Sequence, residues 1–444
     1  MPDIDQKNGI DMANIASING QDIAGGAYDP LTDTGTYTET VPTTGMIMYG
    51  GGINLGRTND TSLNKNFLKG PAINFSSDKD GVERISQQNT KNWTKFQSSS
   101  QTLAGIDTDG KLWMCGSATN RTHQNTNITT LTQVTGVGDS DTGWTDVSVG
   151  SGHVMAINSG KLYGLGRNND SELGLTGGAG GTLTQVGTDT DWQLISCGYS
   201  YSLAVKGASG SMALYSVGNN GNGRTGQGTT SGDTTTWTEA VASDSDDYTF
   251  IEASVATSLA IKGGKVYMVG EAANELQGNN STADTTTFAQ TGKIDASTFG
   301  TNWTSGSVSG TACSYLINSS GELWFAGEAS KGHRGDGTNT DAKNGYHVKV
   351  SGTGDSWTQI CRSPLLTGAS ATKLQVAGIE SGQLYVWGNI VLAYLGTTST
   401  TAVTNTFTPI DNTNTCAYAS LDDGNVGANG GVPNGASLVA AFNT

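Results

Sequence analysis

Proline is nearly missing from this chain, seven residues in 444, and charged residues make up only 14% of it. That excludes both a Pro-rich linker protein and a chain kept disordered by its own charge. No run of eighteen or more apolar residues occurs, and the amino-terminal MPDIDQKNG lacks the basic and apolar parts of a secretory leader. A soluble protein, not inserted in a membrane and not exported by a cleaved leader, is the expectation. Basic residues are outnumbered, 23 Lys and Arg against 39 Asp and Glu, so the formal charge of −16 opposes attraction to nucleic acid. Cysteine is sparse and odd in number: Cys115, Cys197, Cys313, Cys361 and Cys416 contain no CxxC pair. A disulfide framework or zinc site is excluded in favour of thiols buried in strands.

Glycine is what the chain has in quantity, 64 residues, and it falls in register. The pattern aromatic-x-x-Gly recurs in KLWMCG, KLYGLG, ALYSVG, KVYMVG, ELWFAG and QLYVWG, closing at Gly116, Gly166, Gly218, Gly270, Gly327 and Gly388. The spacing of roughly fifty to sixty residues is a propeller-blade period. Upstream of each copy stands a second mark, Trp93, Trp144, Trp192, Tyr248, Trp303 or Trp357. An apolar segment such as HVMAI, SLAV or SLAI lies between the two marks, and a Gly-rich excursion after the third run ends in a short fourth one. Runs of four to seven residues with period-two alternation, bounded by Gly, Asn and Asp, read as antiparallel strands. Helix has little support; only Ile10–Ile23 carries a helix-like apolar spacing, weakened by Asn19 and Gly20.

A seventh copy is split between the ends of the chain. MIMYGGG (46–52) supplies the aromatic strand, while CAYASL and ASLVAAF supply the Trp-type and middle strands. The expected fold class is therefore all-β. It is a seven-bladed β-propeller over residues 45–444, its seventh blade closed by N- and C-terminal strands and preceded by an extended arm, residues 1–44. Closure would remove the sheet edges that an open array leaves exposed.

The order Trp-x-x-Val-x-x-Gly, Gly-His-x-x-Ala-Ile, Gly-x-Leu-Tyr-x-x-Gly-x-Asn and Glu-Leu-Gly resembles the repeat of the regulator of chromosome condensation family. Gly150, His153, Leu162, Tyr163, Gly166, Asn168, Leu173 and Gly174 carry it most fully. In other copies Ser202, Ser258 or Tyr315 takes the place of His153, and the Leu-Gly ending survives as Leu395-Gly396 but becomes Gln277-Gly278 or Arg334-Gly335. The resemblance implies a seven-bladed propeller. It transfers no activity, since propellers of this family serve as exchange factors, inhibitors and interaction platforms.

The arm carries a spaced apolar series that it cannot bury alone. Ile10, Met12, Ile15, Ile18 and Ile23 read as an interaction segment, with a plain flexible tail as the alternative. The stretch ANIASINGQDIA is similar to short segments of tailed-bacteriophage structural proteins.

Chemistry finds little foothold. His123, His153, His333 and His347 lie in different repeats at unlike positions, and packed or capping roles outweigh a general base. SDKDGVE places Asp78, Asp80 and Glu83 like a fragment of a calcium loop but lacks the bidentate Glu that ends one; Asp107–Gly110 and SDSDDY read as a hairpin turn and a solvated loop. No catalytic residue, metal or cofactor is expected. Five of the seven arginines, Arg57, Arg121, Arg167, Arg224 and Arg334, follow a closing glycine within seven residues. On one face of a propeller they would form a partial cationic ring for an anionic protein or a glycan, unless they brace neighbouring blades through backbone carbonyls.

The first functional expectation is a non-enzymatic bacteriophage virion protein. Its arm would bind other virion proteins after assembly in the host cytoplasm, and its propeller would be displayed as a decoration or adhesion module toward a host-surface glycan or protein. The alternative is a free-standing protein-binding propeller, an inhibitor or scaffold. A glycan-acting enzyme ranks below both, because no pair of carboxylates can be placed across a common cleft.

Overall fold

In the computed structural model the described residues are 93–99, 102–116, 128–137, 140–177, 180–309, 312–329, 332–337, 345–350, 354–362 and 375–388. To these are added the strand segments 6–7, 10–11, 17–18, 21–22, 46–51, 83–84, 404–409, 416–422 and 437–443. Among them no helix is long and apolar enough to cross a membrane.

The protein is an all-β propeller. Six blades, not seven, are continuous in sequence, each an antiparallel four-stranded sheet. Blade 1 consists of Trp93–Ser99, Thr102–Asp107, Leu112–Gly116 and Ile128–Gln133. Blade 2 is Trp144–Val149, His153–Asn158, Lys161–Gly166 and Gly180–Gln185; blade 3 is Trp192–Cys197, Tyr201–Lys206, Ala213–Gly218 and Thr234–Val241. Blade 4 is Tyr248–Ala253, Thr257–Lys262, Lys265–Gly270 and Thr285–Gln290; blade 5 is Trp303–Val308, Cys313–Asn318, Leu323–Gly327 and Val348–Lys349. Blade 6 is Trp357–Arg362, Gln375–Glu380, Gln383–Gly388 and Thr404–Pro409. A further four-stranded sheet is composite: Cys416–Asp422 pairs with Ser437–Asn443, which pairs with Met46–Gly51, which pairs with Glu83–Arg84. Its strand Cys416–Asp422 lies against the first strands of both blade 6 and blade 1.

In blades 2, 3, 5 and 6 the two sequence marks meet in space. Trp144 stands edge-on to Tyr163 with ring centroids 5.5 Å apart, Trp192 to Tyr215 at 5.6 Å, and Trp303 to Trp324 at 5.9 Å. The apolar core sits between blades: one cluster joins Ala104, Leu112 and Met114 of blade 1 to Val147, Val154 and Leu165 of blade 2. Equivalent clusters fill the next four joints. Second and third strands are linked in blades 2 and 6 by the two-residue turns Ser159-Gly160 and Ser381-Gly382, all four at positive φ, the geometry that matches strand twist. The closing glycines are needed on two counts. Gly218 has φ +106°, and a side chain there would meet the backbone of Ser200 and Tyr201 at 2.6–2.7 Å.

Two expectations are corrected by register. His153 pairs with closing Gly166, and the residues that pair with the closing glycines of blades 3, 4 and 5 are Tyr201, Thr257 and Cys313. Ser202 and Ser258 therefore correspond to Val154, one position on, and point to the opposite face of the sheet; Tyr315 is two positions on from Cys313. The helix-like spacing of Ile10–Ile23 is not realised as a helix. Ile10 lies in a strand, Ile10–Asp11, paired with Gln6–Lys7, and Ile18 lies in Ser17–Ile18, paired with Gln21–Asp22. Each pair flanks an Asn-Gly dipeptide in the sequence, the strongest short hairpin signal. Met12, Ile15 and Ile23 lie outside the described residues.

Candidate protein-binding face

Neighbouring blades are keyed together by polar contacts that repeat around the axis. The residue four after the first-strand aromatic reaches the backbone N–H of the next blade's first strand. Gln97 Oε1 accepts from Val149 N at 3.0 Å, Ser148 Oγ from Cys197 N at 2.9 Å, Ser196 Oγ from Ala253 N at 2.8 Å, and Glu252 Oε2 from Val308 N at 3.0 Å. A second set lies toward the loops that follow the closing glycines. Ser202, Ser258 and Ser314 hydroxyls donate to the carbonyls of Glu172, Arg224 and Leu276, each six residues past a closing glycine of the preceding blade. In the joint of blades 5 and 6 the same position, His333 O, is bound instead by Trp387 Nε1 at 2.8 Å and by the Tyr315 hydroxyl.

The arginines fall on these loops in blades 2, 3 and 5, and their donors are turned inward. Arg167 Nε bonds Glu172 Oε1 at 2.5 Å, and its Nη2 donates to Tyr199 O of blade 3 at 3.1 Å. Arg224 donates to Asn219 O at 2.9 Å and to Val255 O of blade 4. Arg334 pairs with the buried Asp336. Burial holds the Arg224 guanidinium below its usual range, against the opposing pull of Tyr201, Asp170, Asp233 and Glu271. Arg57 and Arg121 lie outside the described residues. Arg167 and Arg224 thus brace neighbouring blades through backbone carbonyls, the alternative to a cationic ring. Asp170, Asp233, Glu271 and Asp284 stand on the same loops, and Glu271 is pushed above the ordinary carboxyl range by burial and then by Asp284.

Replacement of Arg224 by Ala is expected to lower stability by about 2–3 kcal/mol, because carbonyls of Asn219 and Val255 lose a charged donor. Lys in its place should not restore the loss, since one ammonium cannot reproduce the fork; denaturant unfolding of the two variants measures this.

At the turns between first and second strands Tyr199, half-buried, packs against Val255 and Ala256, and the Arg167 guanidinium lies 5.7 Å from its ring centroid. Tyr and Arg are residue types enriched where proteins bind one another. Sequence reasoning missed Tyr199 because only the fold brings it next to Val255, a residue of the following repeat. The histidines are packing groups: His153, His333 and His347 are fully buried, while His123 lies outside the described residues. Asp107 closes a hairpin, accepting from Lys111 N at 2.9 Å and from Trp113 Nε1 at 2.8 Å. Asp244 pairs with Lys262 at 2.9 Å, and Asp247 accepts from Gly210 N at 2.6 Å, tying blade 4 to the preceding hairpin. Among the described residues no group of three acidic, His or Cys side chains could hold a metal ion. Asp78 and Asp80 are outside them, as is the Glu83 side chain.

No family model matches the chain, and no curated protein matches it. Solved structures do. Human WBSCR16 superposes with a TM-score of 0.68 at 13% identity, over 90% of this chain and 100% of that one. Saccharomyces cerevisiae Prp20, the yeast RCC1, superposes at 0.66 and 12% identity in its complex with Kap60, over 90% of both chains. A second Prp20 structure, whose binding to Gsp1p and histones is described with it, gives 0.64 at 12% identity over 90% and 92%. The fold is that of an RCC1-like propeller. Of these, Prp20 is described with protein partners, Kap60 in one structure and Gsp1p and histones in the other. At this identity the likeness shows the fold alone, and the expected place in a phage particle gains no support from it.

Proposed function

We propose that this protein is a non-enzymatic interaction propeller whose loop face, centred on Tyr199, Val255 and Arg167, binds another protein. The observation that carries the reading is the state of Arg167 and Arg224: each gives a donor to a carbonyl of the next blade, beside the contact of Tyr199 with Val255, and the field of Asp170, Asp233 and Glu271 acts on Arg224. A partner surface with exposed Lys or Arg fits that field, which also speeds encounter. The likeness to Prp20, a propeller described with protein partners, supports the class of function and not the partner. In the same proposal the composite sheet serves as the seventh blade, with residues 45–444 as the propeller and residues 1–44 as a separate arm.

A photo-crosslinking residue at position 199 should capture a protein from an extract of the cells that make this protein, and capture should weaken at least tenfold in salt above 0.5 M. The same residue at exposed Thr236 on the outer strand of blade 3 serves as the control. Equal capture from both positions, or capture indifferent to salt, would exclude the loop face as the binding surface.

A further inference from the structure

Eight residues past each closing glycine in blades 2 to 5 stands another glycine, Gly174, Gly226, Gly278 and Gly335, with φ between +61° and +80°. Each is covered by a ring from the fourth strand, or its entry, of the following blade: Trp237, Phe288, His347 and Phe407 respectively. A side chain on any of these glycines would run into the ring. The ring and glycine form a staple across the joint, and at one joint the ring can take a proton.

At the joint of blades 4 and 5 the hydrogen bonds fix the tautomer of His347. Ser314 Oγ donates its single proton to Leu276 O at 2.5 Å, so the 3.0 Å contact between Ser314 Oγ and His347 Nε2 requires Nε2 to be the donor. Nδ1 is left as the unprotonated nitrogen, buried, without a hydrogen-bond partner and directed at Gly278. Among the described residues no counter-ion is hydrogen-bonded to the ring. Trp303 stands on the ring's flank at 6.4 Å, and the charged groups on the packed elements are Glu275 on the turn Ala273–Glu275, Lys293 beyond blade 4, and Lys349 two residues along, which is held by Glu322 and Asp355. The backbone on either side of the ring is tied across the joint, His347 N to Lys293 O at 2.7 Å and Asn280 N to Gly345 O at 2.6 Å.

We propose that His347 makes the joint between blades 4 and 5 an acid-released latch, shut while the imidazole is neutral and opened when Nδ1 gains a proton that the closed joint cannot accommodate. Burial pulls the imidazole from 6.5 down to about 3. A folded value below the open one means that the closed state binds fewer protons. The latch is therefore at full strength above about pH 6.5 and weakens as pH falls from there toward 3.

The test is amide exchange of the full chain across that range. Protection at Asn280 and His347 should fall by about tenfold per pH unit below 6.5 once intrinsic rates are divided out, while Val186, bonded to Leu162 O within blade 2, keeps its protection. His347→Phe, the residue that equivalent joints carry as Phe288 and Phe407, should abolish the pH dependence at Asn280 and leave neutral protection in place. Should that variant fail to fold, the imidazole resonances of the natural protein decide the matter: a His347 that titrates near 6 with Asn280 still protected overturns the latch. Equal acid sensitivity at Asn280 in the natural protein and in His347→Phe overturns it as well.

Discussion

Removal of Ser437–Asn443 is expected to abolish the single cooperative unfolding transition, not to shift it by a few degrees. That strand is paired on both sides, with Cys416–Asp422 through Leu421↔Leu438 and Ala419↔Ala440, and with Met46–Gly51 through Ala440↔Tyr49 and Asn443↔Met46. Without it, two ladders vanish at once, and the strands they held are separated by most of the chain. Blades 1 and 6 both rest on Cys416–Asp422, so each would lose the neighbour that covers its first strand. Open strand edges would then be available to other molecules. The cost is on the order of the whole stability of a domain, roughly 5–15 kcal/mol. Calorimetry should show a broad or split transition with aggregation. A truncated chain that melts as sharply and as high as the full one would mean that the ring does not depend on this sheet.

The second large effect is predicted for Trp387→Ala. This side chain is fully buried where blades 5 and 6 meet, with ring centroids 4.7 Å from Phe407, 5.8 Å from Trp357 and 6.1 Å from Tyr315. Its indole N–H also holds His333 O. Truncation removes the packing of three rings and a hydrogen bond together, and a loss of about 3–5 kcal/mol follows for the cavity, with about 1 kcal/mol more for the bond. Trp387→Phe keeps most of the volume and should cost less than half as much. Urea unfolding of the pair separates the two contributions; equal losses would show that packing at this site carries none of the energy.

The repeat was legible because both of its marks are demanded locally. A closing glycine sits where the backbone needs positive φ and close approach, and a large aromatic opens the first strand; both requirements recur in the six continuous blades and so print a period on the chain. The composite sheet was legible for the same reason, since Tyr49 and the strand from Cys416 keep the register of complete copies. What the sequence hid is contact between repeats. Gly174 looked like the end of a motif, but it is glycine because Trp237 of the next blade lies on it. For the arginines the sequence offered a charged ring or a brace through backbone carbonyls, and it could not name the carbonyls, those of Tyr199 and Val255, that Arg167 and Arg224 reach. The slip that set Ser202 against His153 arose because neighbouring positions of a middle strand, buried on both faces, carry no alternation to fix the frame. At the amino terminus the spacing of isoleucines suggested a helix, while the Asn-Gly pairs between Gln6–Lys7 and Ile10–Asp11, and between Ser17–Ile18 and Gln21–Asp22, specified hairpins.

Asn443 stands directly opposite Met46, antiparallel and in register, just as Asn158 stands opposite Lys161 across the tight turn of blade 2. A two-residue linker between those positions would convert the pair into an ordinary hairpin. The gene could then be rewritten to start at Cys416, giving a circularly permuted chain in which all sheets are built in one uniform strand order and the break in the polypeptide falls on an inter-blade connection.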